Sequence, residues 1–184
     1  MHHRSSPPLT VRRGTLADAE HLSSFARRLA IETFAAQNNP DDFELYLSLT
    51  FSAGIQARQI ADPSRTFLLG EVATEQSASQ LAAYALIRSP SPEPNVHGAK
   101  PVEIERFYID GPWQGTGVAD VMMQHAVEHA RAVGGETLWL GVWEHNPRAI
   151  RFYQRHGFVD VGSHPFLVGT DLQTDRVMAR SLFD

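Results

Sequence analysis

The sequence predicts an α/β fold in which a mixed sheet carries helices on both faces. Three observations point to it. Strand-like and helix-like segments follow one another as strand, helices, three strands, helix, strand, helix, strands. Three consecutive strands followed by strand–helix–strand units argue against a repeating parallel βαβ fold. With 184 residues, 42% hydrophobic and 20% charged, the chain supports one packed domain. That domain is expected over residues 9–184, with the first eight residues, MHHRSSPP, a disordered N-terminus.

The elements follow in order. Leu9 to Arg13 is a short extended run. Thr15-Leu16-Ala17-Asp18 has the form of a capping box, in which the two end side chains satisfy each other's free N–H groups. Leu22, Phe25, Ala26, Leu29 and Phe34 then fall at helical spacing, and Asn38-Asn39-Pro40 ends that helix. A second helix begins at Asp41 and Asp42 and runs through Phe43, Leu45, Tyr46 and Leu49; a third, 55–61, stops before Pro63. Segments 66–73 and 81–88 read as a hairpin around the polar turn 75–80. Residues 89–101, rich in proline and serine, read as a mobile surface loop.

The stretch Val102 to Ala119 comes next, a strand, a turn and a helix start. Its helix runs over 118–133 and stops at Gly134-Gly135. Residues 137–142, TLWLGV, form a strand apolar on both faces. Asn146-Pro147 starts the last helix, with asparagine as cap and proline at the first helical position. That helix ends at His156 and Gly157, and 158–162 and 176–182 are the closing strands.

Composition excludes several classes. The net charge of -5 carries no basic footprint, so no nucleic-acid partner is expected. With no cysteine there is no disulfide, no thiolate metal site and no cysteine nucleophile. No apolar run approaches the roughly 20 residues that span a bilayer, and nothing resembles a signal peptide. No membrane partner and a cytoplasmic location are therefore expected. His125, Glu128 and His129 spell H-x-x-E-H on one helix side, but no third ligand is apparent, and no metal is expected.

Gln114-Gly115-Thr116-Gly117-Val118-Ala119 reads Q-x-x-G-x-A at a strand-to-helix turn. Such a turn aims several N–H groups and the positive helix end at one point, which suits a phosphate. The two glycines remove side chains that would hold a phosphate off, Thr116 offers a hydroxyl, and Ala119 permits close packing. Two glycines alone fit an ordinary tight turn equally well. Neither the dinucleotide fingerprint nor a Walker loop fits, because Asp120 stands at the third glycine position and no G-K-[ST] follows.

This motif, after the strand E-I-x-R-x-Y-I, resembles motif A of the GNAT superfamily of N-acetyltransferases. Asn146 to Phe158, N-x-x-A-x-x-F-Y-x-x-x-G-F, is similar to motif B of that superfamily, in the right order and with a strand between. LWLGVWEHNPRAIRFYQRHGF, with Phe166, Gly169 and Gln173-Thr174-Asp175, and the helix bearing Glu32-Thr33-Phe34, resemble PaiA-type polyamine (spermidine/spermine) N-acetyltransferases. The resemblance implies a GNAT-like fold, a mostly antiparallel sheet splayed between two parallel strands. It implies acetyl transfer from acetyl-coenzyme A straight to a primary amine, with no covalent enzyme intermediate.

The resemblance also implies roles. Backbone groups of Phe107, Tyr108 and Ile109 would hold the pantetheine arm; by pattern alone Phe107 and Ile109 are equally core residues. Gln114 to Ala119, including Val118, would hold the diphosphate. Asn146 would contact the arm, besides capping its helix. Tyr153 would protonate the leaving thiolate, against a plain packing role. Glu103 and Glu105, read as alternating onto one face with Phe107 and Ile109, are candidates for the general base; an exposed acid pair is the bland alternative. Glu32, Asp41, Asp42 and Glu44 lie where acceptors bind and would suit a polyamine, or simply cap and solvate helices. Trp113 and Trp143 are expected to pack. Another amine (an amino acid, an antibiotic, a protein N-terminus) and a non-catalytic coenzyme A-binding regulator are the rival readings. Superfamily members often form a homodimer, on which this sequence is silent.

Overall fold

A computed structural model describes residues 9–74 and 77–183. The N-terminal segment expected to be disordered lies outside the described residues, as do Glu75 and Gln76 of the expected turn. The elements are β1 (Leu9–Arg13), α1 (Ala19–Phe34), α2 (Pro40–Phe51), α3 (Ala53–Ala61), β2 (Arg65–Thr74), β3 (Ser77–Arg88), β4 (Pro101–Ile109), α4 (Val118–Ala132), β5 (Thr137–Trp143), α5 (Pro147–Arg155), β6 (Val159–Val168) and β7 (Asp171–Ser181).

The seven strands lie in the order β1-β2-β3-β4-β5-β7-β6. Every neighbouring pair is antiparallel except β4 with β5. That parallel pairing is short: Pro101, Val102 and Glu103 face Thr137, Leu138 and Trp139, and beyond them the strands part. The expected mixed, splayed sheet is therefore present, and the splay opens in its middle.

Each face is covered by helices with an apolar stripe. Val118, Met122, Met123, Ala126 and Ala130 of α4 are buried against Val102, Ile104, Leu138 and Leu140. Leu22, Phe25, Ala26 and Leu29 of α1, with Phe43 and Leu47 of α2, bury the other face against Phe67, Leu69, Tyr84 and Leu86. The i, i+4 spacing makes these stripes continuous. Pro40 proves to start α2 rather than only to end α1: Asn39 caps it, its side chain accepting from the N–H of Asp41 and Asp42.

The structure corrects three expectations. The turn 75–80 is shorter, because β3 already begins at Ser77. The loop 89–100 is seated, not free: Ser91 and Val96 are buried, and the Trp139 indole N–H donates to the Ser91 carbonyl at 2.8 Å. The closing strands are longer than 158–162 and 176–182 and form one hairpin, β6–β7. β6 carries Pro165 and a bulge next to Gly162, and as an edge strand it tolerates both.

Three buried polar atoms have no hydrogen-bond partner among the described residues: the Tyr84 hydroxyl, Arg88 Nε and Trp113 Nε1. The Tyr84 ring is fully buried and its hydroxyl meets no hydrogen-bond partner among the described residues. An unmet buried hydroxyl costs about 1–3 kcal/mol. Tyr84→Phe is expected to raise stability by about 1 kcal/mol, a midpoint increase of about 2–4 °C in thermal denaturation. A lower midpoint would show that the hydroxyl is satisfied.

Candidate functional site

The splay opens onto a cavity of about 1360 Å³ that runs from the α4 N-terminus to α1, α2 and the β6–β7 hairpin. Ile104 to Ile109 form one wall, Gly141 to Trp143 and α5 the other. Of the residues expected in the site, Glu103, Glu105, Phe107, Tyr108, Ile109, Gln114, Gly115, Gly117, Ala119, Asn146 and Tyr153 all line it. Thr116 and Val118 belong to the same turn but do not line it; Val118 is buried in the core.

At the α4 end, Gly115 (φ 75°) and Gly117 (φ 90°) both adopt left-handed backbone, which side chains disfavour. A Cβ on Gly115 would meet nothing within 4 Å, so this glycine serves the backbone turn and leaves open space before it. Among the described residues, the N–H groups of Gly115, Thr116, Gly117, Val118 and Ala119 have no acceptor. Free N–H groups at a helix start suit an anion. The turn is braced by side chains: Gln114 Nε2 donates to the Ile109 carbonyl at 3.0 Å, and Thr116 Oγ1 donates to the Trp113 carbonyl at 2.7 Å. The hydroxyl expected to meet phosphate is therefore spent on the loop itself, and Thr116 can offer only its N–H.

Sequence reasoning missed three cations here. Arg148, Arg151 and Arg155 of α5 line the cavity. Their i, i+3, i+7 spacing on one helix side was the available sign.

In the middle, β4 departs from regular alternation. Leu86 faces Arg106 while Ile87 faces Ile104, so Glu105 is a bulge residue. The bulge flips the face. Val102, Ile104, Phe107 and Ile109 pack with the α4 core, whereas Arg106 reaches Gln59 of α3 at 3.1 Å and Tyr108 stacks on Tyr84. The expectation that Glu103 and Glu105 share a face with Phe107 and Ile109 is thus overturned. Glu105 is held by Arg65 in two bonds of 2.8 and 3.0 Å, with Arg88 at 3.8 Å. Glu103 accepts from the Ser91 hydroxyl, and burial pushes its carboxyl up from the usual range.

Tyr153 reaches the splay from α5. It is buried among Phe107, Phe152 and Phe158. Its hydroxyl has no partner among the described residues, and burial holds the phenol well above its usual pKa, so it keeps its proton. Asn146 Oδ1 accepts from the Ala149 N–H at 3.1 Å, which confirms the cap and leaves its amide donors free.

At the end bordered by α1, α2 and the β6–β7 hairpin, Phe34, Phe43, Tyr46, Tyr108, Trp143 and Phe166 give aromatic walls. Trp143 lines the cavity and meets Phe34 edge-on, whereas Trp113 packs against the core, so the two tryptophans differ. The helical acids already have partners. Glu44 pairs with Arg27 at 2.7 Å and Glu32 with Arg28 at 3.0 Å. Asp42 accepts from the N–H and hydroxyl of Thr170, both at 2.6 Å, and ties the β6–β7 turn to α2. Asp41 does not line the cavity. Among the described residues no helix is long and apolar enough to cross a membrane, and no histidine–carboxylate group could hold a metal ion.

The comparisons agree with this geometry. An uncharacterized N-acetyltransferase from the pepI 3' region of Lactobacillus delbrueckii subsp. lactis is 29% identical over 165 residues, 90% of this chain and 92% of the relative. Spermine/spermidine N(1)-acetyltransferase of Bacillus subtilis is 33% identical over 82 residues, 44% of this chain and 50% of that one. The crystal structure of the PaiA N-acetyltransferase from Thermoplasma acidophilum in complex with coenzyme A superposes with a TM-score of 0.71 at 17% identity, covering 95% of this chain and 99% of that one. The model of the acetyltransferase (GNAT) family matches residues 25–158, from α1 through both halves of the cavity, and the chain belongs to that family.

Proposed function

We propose that the protein moves an acetyl group from acetyl-coenzyme A directly to a primary amine. The observation that carries this is the unused N–H groups at the α4 start, where Gly115, Gly117 and Ala119 line the same cavity as Tyr153. The residues fit the cosubstrate along its length. Gly115 to Ala119 would take the diphosphate, with Arg148, Arg151 and Arg155 supplying positive charge beside it. The β4 edge facing the splay is unpaired from Ile104 onward, so the N–H and C=O groups there can pair with the pantetheine arm as a neighbouring strand would. Asn146 would hold the arm with its amide, and an N–H near Ile109 would meet the thioester oxygen and stabilise charge developing there.

The chemistry asks for two proton transfers. Tyr153 would protonate the departing thiolate. Of the two acids on β4, Glu103 is the proposed acceptor for the amine's proton: its carboxyl is raised by burial, while Glu105 is neutralised by two arginines. Holding amine and thioester side by side supplies much of the rate.

The Bacillus relative supports a polyamine as the acceptor. The engagement of Glu32, Asp42 and Glu44 favours a second reading, an amine with one positive charge, because these acids are not left to bind further ammonium groups. Release of free thiol from acetyl-coenzyme A, measured with a panel of primary amines, tests the whole proposal. Turnover with at least one amine is expected. Binding of coenzyme A without thiol release from any of them would instead make the chain a non-catalytic binding protein.

A further inference from the structure

Glu32, Glu103, Glu105, Asp120 and Asp175 are the carboxylates that line the cavity. Four are engaged: Glu32 by Arg28, Glu103 by Ser91, Glu105 by Arg65, and Asp120 by His156 at 2.9 Å. Among the described residues, the Asp175 carboxylate has neither a hydrogen bond nor an ion pair. It sits on β7 opposite Trp143, at the end of β5 that lies beyond its pairing with β4.

Gly141 explains how Asp175 reaches the splay. A Cβ on Gly141 would stand 3.2 Å from Asp175 Oδ2 and 2.9 Å from His164 Nε2. The missing side chain thus leaves a space that both groups border. His164 Nδ1 lies 3.2 Å from Glu93 Oε2, and a bond to a carboxylate requires that nitrogen to carry the proton. In the neutral ring Nε2 is then an acceptor. Asp175 Oδ2 and His164 Nε2 flank one space with no hydrogen bond or ion pair between them, and the carboxylate lacks a donor. Trp139 lies edge-on to the His164 ring and helps fix it.

We infer that Asp175, with His164 Nε2 behind it, is the anchor for the acceptor's ammonium group, and that the site takes a primary amine carrying one positive charge on an apolar, ring-sized body. The inference deepens the acetyl-transfer reading and rests on it. The aromatic walls formed by Phe34, Tyr46, Trp143 and Phe166 line the same cavity and suit the body. Burial raises the Asp175 carboxyl to about 6, with His164 opposing and Glu144 adding to the rise, as expected of a lone acid whose counter-charge arrives with the ligand. Asp175 orients the amine; the proton it loses goes to Glu103, and its nitrogen lone pair then forms the N–C bond as the C–S bond breaks and Tyr153 gives its proton to sulfur. The second proton on that nitrogen returns to the Tyr153 oxygen, so the enzyme ends with one proton on Glu103 to release.

The test uses the full chain, acetyl-coenzyme A and two probes, 2-phenylethylamine and spermidine, with thiol release as the readout. For wild type, kcat/KM is expected to be higher with 2-phenylethylamine. Asp175→Asn is expected to raise the KM for that amine about 30-fold, the lower end for truncating one partner of a charge pair. Its kcat should stay within about threefold and its acetyl-coenzyme A KM should not change. Gly141→Ala, which fills the space and keeps the carboxylate, is expected to raise the amine KM in the same way. An amine KM within threefold of wild type in a folded Asp175→Asn protein, judged by its thermal midpoint, overturns the anchor. Preference for spermidine overturns the single-charge acceptor. Absence of thiol release from wild type with every amine removes the acetyl-transfer reading itself, and the anchor with it.

Discussion

Tyr153→Phe is expected to lower kcat by about 100-fold while leaving the affinity for acetyl-coenzyme A within about twofold. The ring is held by Phe107, Phe152 and Phe158, and phenylalanine keeps all of those contacts. Only the hydroxyl is lost, and it has no partner among the described residues, so the fold should not register the change. The magnitude follows from the leaving group. General acid catalysis contributes about 10²–10⁴-fold, and a thiolate, whose conjugate acid titrates near 8.5, needs less help than an alkoxide. The low end therefore applies. Burial raises the Tyr153 pKa, so the phenol stays protonated across the neutral range. The acid limb of the rate profile must accordingly come from the carboxylates and not from Tyr153. Stopped-flow or steady-state thiol release with Tyr153→Phe checks this. Wild-type kcat in the variant would remove Tyr153 from the proton path.

What could be read from the chain and what could not divides along physical lines. Gly115, Gly117, Asn146 and Pro147 act through the backbone of their own neighbourhood, so their pattern was legible: positive φ, a cap, a first helical turn. The strand-to-helix turn and the α5 start were found for that reason. The bulge at Glu105 was not, because it arises from the pairing of β4 with β3 and leaves no mark on β4 itself. A strict period of two put both glutamates on the wrong face. Thr116 looked like a phosphate donor because its hydroxyl was counted without the Trp113 carbonyl that accepts it. Asp175 entered only as part of a resemblance. Its role depends on a glycine on another strand, 34 positions away, whose missing Cβ no local pattern reports. The acids of α1 and α2 were visible, but Arg27, Arg28 and Thr170 decide what they do.

The same limit hid Asp110, for which we expect the largest loss of stability. Asp110 follows β4 and opens the turn that leads to the start of α4. It is 4% exposed and accepts from both terminal nitrogens of Arg28, each at 2.9 Å, and from the Gly111 N–H at 2.9 Å. Arg28 lies 82 positions away on α1, so the pair fastens the helix layer to the sheet at the mouth of the site. Removing one partner of a buried pair typically costs about 3–5 kcal/mol. The Arg28 side chain is 45% exposed and can recover water and Glu32, which places Asp110→Ala near the low end, about 3 kcal/mol. Asp110→Asn keeps the shape and one acceptor for Gly111, and should lose about half as much. Urea unfolding of the two variants separates charge from shape. The effect should also reach function, because the Trp113 N–H bonds the Asp110 carbonyl and the Gln114 side chain bonds the Ile109 carbonyl. With this anchor gone, the turn that carries the free N–H groups after Gln114 loses its support, and acetyl-coenzyme A should bind at least tenfold more weakly. Two equally stable variants, or full cofactor affinity in Asp110→Ala, would show that the loop is held without Arg28.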